Sequence, residues 1–188
     1  MRLILTRHGE TEENITGILQ GHMPRKLTKN GIIQAKKLAL RLKDDKIDIV
    51  FSSDINRAVK TTKEIVKNHP GIPVHYTKEL RERNLGSYQG KHSEHVNWEN
   101  QPYDIETLQQ MQDRAKIFLN KIYNKNKNKT VLFVTHGGIG RSLITVIIRN
   151  PANIIFEMEK IKNAAVYIFD IKEDLSGDVI LENCIRHL

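Results

Sequence analysis

Apolar residues follow two rhythms along the chain. Runs without alternation occur at Leu3-Ile4-Leu5, at Ile47 to Phe51 and at Val131 to Val134. A run that is apolar on successive residues suits a strand covered on both faces. It predicts strands over 2–6, 47–51 and 130–135. Between them, apolar residues recur three and four apart: Ile32, Ala35, Leu38, Ala39 and Leu42; then Ala58, Ile65 and Val66; then Leu108, Met111, Ala115, Phe118, Leu119 and Ile122. That spacing gathers them on one side of a helix. It predicts helices from Ile32 to Leu42, from the Ser52-Ser53-Asp54 cap to about Asn68, and from Ile105 to about Tyr123. An apolar helix from Ile139 to Ile148 follows. Thr28 caps the first helix, Pro70 to Pro73 breaks the second, and Asn150-Pro151 ends the last. Val74-His75-Tyr76 is a short strand. Ala164 to Ile171 and Val179 to Ile185 form two more, around a turn at Asp174 to Gly177.

Two stretches carry no period. Residues 9–26, with Asn14, Gly17 and Gly21, read as a functional loop. Residues 77–104 are punctuated by Gly86, Gly90 and Pro102 and read as a small lid. Strands alternating with helices imply βαβ units. The expected fold is α/β: a three-layer α/β/α sandwich whose central sheet is mostly parallel, with one antiparallel strand from the terminal hairpin. The 188 residues suffice for one domain, 1–188, with 77–104 over its active site.

Composition narrows the partners. The formal charge of +8 would suit nucleic acid or small anions. Much of it, however, lies in the lysine-asparagine run from Lys121 to Lys129, which reads as a helix end and a solvated loop. No nucleic-acid surface is expected. No apolar run approaches the roughly 20 residues of a membrane span. The first strand starts too early to leave room for a signal peptide, and Cys184 is the only cysteine, so a reducing, cytoplasmic location and no membrane partner are expected.

Ligands of open α/β sheets bind beyond the carboxyl ends of the strands. Three strand ends deliver the chemistry here: Arg7-His8, Ser52-Ser53 with Arg57 on the following helix, and His136. The amides of Gly137 and Gly138 open a helix whose dipole favours an anion. Arginine forks match phosphate oxygens, Asn14 adds an amide donor, and glycine after each histidine would let backbone approach a ligand. A neutral imidazole can act as nucleophile toward phosphorus. Glu82, in Leu80-Arg81-Glu82-Arg83, is a carboxyl that a folded-over segment could shield as proton donor; Glu10, Glu12, Glu13 and Glu79 are other candidates. His8 and His136 lack metal-ligand spacing, and His92 and His95 lack a carboxylate cluster, so no metal is expected.

Several ordered segments resemble the histidine phosphatase superfamily, in its phosphoglycerate mutase-like branch. They are Thr6-Arg7-His8-Gly9-Glu10-Thr11 with Asn14; Gln20-Gly21 and Leu27-Thr28 with Gly31 and Gln34-Ala35; Ser52-Ser53-Asp54 with Arg57-Ala58 and Thr61-Thr62; Leu80-Arg81-Glu82 with Gly86 and Gly90; and Val134-Thr135-His136-Gly137-Gly138. The resemblance implies a phosphoglycerate mutase-like fold. It implies that His8 becomes phosphohistidine, that Arg7, Arg57, His136 and Asn14 hold the phosphoryl group with Gly137, and that Glu82 protonates the leaving group. Gln20 and Gly21 would line the substrate side. No cofactor or metal is implied. The partner is a small phosphorylated metabolite, and the chain a monomer or homodimer.

Two departures stand out. Pro24-Arg25-Lys26 precedes Leu27-Thr28 where the family has a pattern like Asp-x-Pro, making that loop more basic and, with Lys91, a candidate for a second anionic group. The stretch between Glu82 and His136 is shorter than in the family's mutases. These features favour a phosphatase of the α-ribazole or broad-specificity type, over a phosphoglycerate mutase or an inactive phospho-ligand binder.

Overall fold

A computed structural model describes all 188 residues. Its sheet has six strands: β1 (Arg2–Arg7), β2 (Ile49–Ser53), β3 (Val74–Thr77), β4 (Thr130–Thr135), β5 (Val166–Ile171) and β6 (Gly177–Cys184). They lie in the order β3-β2-β4-β1-β5-β6. β1, β2, β3 and β4 pair in parallel, while β5 pairs antiparallel with both β1 and β6. β5 is thus the one strand running against the others, as the hairpin at the end of the chain requires.

The helices are α1 (Glu12–Thr16), α2 (Lys29–Leu42), α3 (Asn56–Val66), α4 (Leu108–Asn126) and α5 (Gly137–Ile147). Successive residues of a strand point to opposite faces, and the core divides accordingly. Leu3, Leu5, Val131 and Phe133 pack with α4 and α5 on one face. Ile4, Leu132 and Val134 pack with α2 and α3 on the other. The unalternating apolar runs are what two covered faces demand. Truncating any of Leu3, Ile4 or Leu5, each at most 1 % exposed, is expected to cost about 2–5 kcal/mol.

Capping decides where several boundaries differ from the periodicity. α4 begins at Leu108, because the Thr107 hydroxyl accepts the Gln110 N–H while Gln110 reaches back to the Thr107 N–H. Ile105 lies before that box, buried with Leu85 and Tyr88. The Ser52-Ser53-Asp54 cap is not used as expected: Ile55 is the N-cap of α3 and makes no side-chain cap bond. The 9–26 loop contains α1, a single turn boxed by Thr11 and Asn14 and stopped by left-handed Gly17.

Residues 77–104 run as short 3₁₀ turns. They are stitched to the 17–23 loop: the Leu19 N–H donates to Lys91 O, the Gly90 N–H to Leu19 O and the Ser93 N–H to Gly17 O. Backbone pairing carries much of the contact, and the few apolar residues, Leu85 and Tyr88 with Leu19 and Val96, form a small cluster without a period.

Candidate active site

β1, β2 and β4 end side by side, so Arg7, Ser53 and Thr135 with their successors are neighbours. His8 is 2 % exposed, Arg57 1 % and His136 0 %, which places three polar side chains in an apolar setting where each needs partners. His8 Nδ1 lies 2.6 Å from Gly9 O. A carbonyl only accepts, so Nδ1 carries the proton and Nε2 keeps its lone pair. The Arg57 Nε–H points between the two imidazoles, 3.1 Å from His8 Nε2 and 3.1 Å from His136 Nδ1. His136 is therefore the opposite tautomer, its Nε2–H donating to Ser53 Oγ at 2.8 Å. The rings meet edge to face, centroids 5.1 Å apart.

Burial holds both imidazoles neutral, far below the ordinary histidine value, and the Arg57 charge adds to the effect. Arg57 itself is pushed down to about 10 by burial, which leaves it a cation at neutral pH. Its Nη1 donates to Met23 O at 3.1 Å and its Nη2 to Gly21 O at 2.9 Å. Arg7 gives Nη1 to Ile161 O at 2.7 Å, while its Nε is buried without a partner inside the chain. The Asn14 oxygen accepts from the Thr11 N–H and from Asn163 Nδ2, so its amide nitrogen is the group left to donate outward.

Glu82 occupies the opening of α5. Its Oε2 accepts from the Gly138 N–H and its Oε1 from the Ile139 and Arg83 N–H groups, at 2.9–3.1 Å. The sequence offered the amides of Gly137 and Gly138 to the ligand; of these, Gly138 is taken by Glu82. The group seated at the helix N-terminus is the Glu82 carboxyl, and Gly138 is what makes room, since a Cβ there would collide with Glu82 Oε1. The flanking arginines do not pair with Glu82: Arg81 forks onto Asp54, and Arg83 onto Glu106 O and Gln101.

His8, Arg57, His136, Arg7 and Glu82 thus come together, with Asn14 and Gly137 at the edge. Gln20 is only 7 % exposed and ties to Thr11 Oγ1, so it braces the loop rather than lining a pocket. Gly21 contributes its carbonyl to Arg57. The glycine after His8 serves packing: a Cβ on Gly9 would strike Gly31 O of α2, and one on Gly31 would strike Glu10 O. Glu10 bonds Thr28 and Asn30, and Glu79 bonds Thr77, so neither faces the histidines. No group of three or more His, Cys, Asp or Glu gathers as a metal site would need.

Sequence reasoning missed three contributors. Ser53, read as a cap, fixes the His136 tautomer. Asn163 donates to His8 O and Asn14 Oδ1 from far along the chain, with no local pattern to announce it. His22 donates Nε2–H to Glu82 O at 2.8 Å.

A family model described as the histidine phosphatase superfamily (branch 1) matches residues 3–179. Phosphoglycerate mutase-like protein 4 of Arabidopsis thaliana is 32% identical over 99% of this chain and 86% of its own. The adenosylcobalamin/alpha-ribazole phosphatase of Salmonella typhimurium is 31% identical over 81% of this chain and 82% of its own. The crystal structure of an Entamoeba histolytica phosphoserine phosphatase in complex with 3-phosphoglyceric acid superposes with a TM-score of 0.87 at 26% identity, covering 99% of this chain and 98% of that one.

Proposed function

The chain belongs to branch 1 of the histidine phosphatase superfamily and is a phosphomonoesterase; from that premise we propose that it hydrolyses a small phosphorylated metabolite through a phosphohistidine at His8, with no metal ion. The observation that carries this reading is the His8 tautomer. Nδ1 is committed to Gly9 O, and the Nε2 lone pair faces Arg57 and His136. The nucleophile is neutral at working pH because burial keeps it so.

In the first step His8 Nε2 forms a bond to phosphorus as the ester P–O bond breaks. Glu82 supplies the proton to the leaving oxygen. Arg7 Nε, the N–H groups of Arg57 Nη1 and Nη2 not given to Met23 O and Gly21 O, and the Asn14 amide take the equatorial oxygens. The Arg57 Nε–H, shared at rest, keeps its bond to His136 as His8 is phosphorylated. In the second step water attacks phosphorus, the P–N bond breaks, and Glu82 takes the water's proton. Inorganic phosphate leaves and both groups return to their starting state.

Relatives named as phosphoserine and α-ribazole phosphatases support small organic monophosphates as substrates. A panel of monophosphates tests the reading. The wild type is expected to release phosphate in excess EDTA, and His8→Ala to lose activity on every substrate. Loss of activity in EDTA, or an active His8→Ala variant, would refute it. Interconversion of 2- and 3-phosphoglycerate faster than phosphate release would make the chain a mutase.

A further inference from the structure

The 20–23 loop touches both Arg57 and the Glu82 segment, as the start of α5 also does through His136, Gly138 and Ile139. Gly21 O and Met23 O hold the two Nη groups of Arg57. His22, the residue between them, turns its side chain the other way and donates Nε2–H to Glu82 O at 2.8 Å. Gln89 fixes the middle of this bridge: its Oε1 accepts the His22 N–H at 2.5 Å. Gly21, at φ +48°, admits that amide where any side chain would collide with it. The short backbone from Gly21 to Met23 therefore couples the arginine that would bind phosphate to the main chain of the residue that would protonate the leaving group.

The main chain on either side of Glu82 has holders of its own, with Thr135 Oγ1 donating to Leu80 O and Arg114 Nη1 to Arg81 O, but the bond to the Glu82 carbonyl comes from His22. Arg81 and Arg83 are anchored outward, to Asp54 and to Glu106 O with Gln101. The Glu82 carboxylate itself rests on the amides of α5, from which it must reach the ester oxygen. A fixed main chain lets the side chain make that move without losing register.

We propose that His22 is a positioning residue for leaving-group protonation, holding the Glu82 main chain in register with the Arg57-bound phosphoryl group. The proposal rests on Glu82 acting as the acid. Its signature is dependence on the leaving group. A nitrophenolate leaves with little need of a proton, whereas an alkoxide must be protonated as it departs.

The test compares kcat/KM, which covers the steps through departure of the leaving group and not the later hydrolysis that both substrates share, on p-nitrophenyl phosphate and on O-phosphoserine for wild type, His22→Ala, His22→Gln and Glu82→Gln, with melting temperatures for each. His22→Ala is expected to lose about ten- to a hundredfold in kcat/KM on phosphoserine and to stay within about threefold of wild type on p-nitrophenyl phosphate. His22→Gln, whose amide nitrogen reaches as far as Nε2, restores most of the loss. Glu82→Gln shows the same split, larger. Equal losses on both substrates in His22→Ala, or none, would overturn the proposal. A Glu82→Gln variant without the split would overturn the acid role beneath it.

Discussion

Acidification should unfold this protein through its active site. His8 and His136 are buried and held neutral, far below the ordinary value of 6.5, first by burial and then by Arg57. In the unfolded chain both titrate near 6.5. Between that value and their folded values the unfolded state binds protons that the folded state refuses, so stability is present above about pH 6.5 and lost as the pH falls. From pH 7.5 to 5.5 each imidazole that stays neutral in the fold costs up to RT ln[(1 + 10)/(1 + 0.1)], on the order of 1 kcal/mol, and the pair up to about 3 kcal/mol. With a urea m-value of about 2 kcal/mol/M, the midpoint should fall by roughly 1 M. His187, half-buried and held lower by burial, adds the same sign more weakly. Asp54 is held below the carboxylate range mainly by its Arg81 bond and Glu79 mainly by its Thr77 bond; both lose their support only below about pH 4.5. The assay is urea unfolding by circular dichroism at pH 7.5, 6.5 and 5.5 in a phosphate-free buffer, with a His8→Gln/His136→Gln variant alongside. The variant should show little of the slope. A flat wild-type midpoint over this range, or an equal slope in the variant, would refute the reasoning.

Other perturbations separate packing from chemistry. Gly31→Ala puts a methyl into the Glu10 carbonyl and should cost more than about 3 kcal/mol by calorimetry, whereas Gly71→Ala, with open space but φ +79°, should cost about 1–2 kcal/mol. Arg57→Lys keeps the charge but lacks the Nε–H shared by His8 and His136; kcat should fall at least about a hundredfold, and a near-wild-type rate would count against the shared donor. Ser53→Ala removes the acceptor of the His136 Nε2–H and should destabilise by about 1–3 kcal/mol with reduced kcat, an effect absent if His136 keeps its tautomer by other means. Arg25 stands 3.2 Å from Glu13 by its Nε alone. Arg25→Met should therefore raise KM for phosphoserine about tenfold more than for phosphoethanolamine, and equal changes would remove the second-anion role of this basic loop.

What was legible in the sequence follows physical range. The strands were readable because burial on both faces leaves no alternation, and the helices because one face is buried. The strand-end rule then brought Arg7, His8, Arg57 and His136 together without any contact map. Polar bonding was less legible. Ser53 looks like a cap by its position, yet its hydroxyl accepts both the Ile55 N–H and the His136 Nε2–H. Gln20 looks like a ligand residue, yet its Nε2 is given to Thr11 Oγ1, a contact with no local signature. Gly9 reads as room for a ligand, whereas it and Gly31 make room for the close approach of the 9–10 backbone to α2, and only the packed pair reveals it. The Asn163 and His22 contacts join segments distant in sequence through single hydrogen bonds, which leave no periodic trace. The stretch 77–104 resisted reading because backbone pairing and one small cluster, Leu85 and Tyr88 with Leu19, hold it to the 17–23 loop, and neither leaves a periodic pattern.

The most direct test of the account is to trap the intermediate. Rapid acid-free quenching during turnover of phosphoserine, followed by mass spectrometry and phosphorus NMR, reports whether and where the protein carries a phosphoryl group. The account predicts one phosphoryl group per chain, on Nε2 of His8, because Nδ1 is committed to Gly9 O, and none in His8→Ala. A phosphoryl group on Nδ1 or on another residue, or full turnover by an enzyme that never becomes phosphorylated, would contradict it.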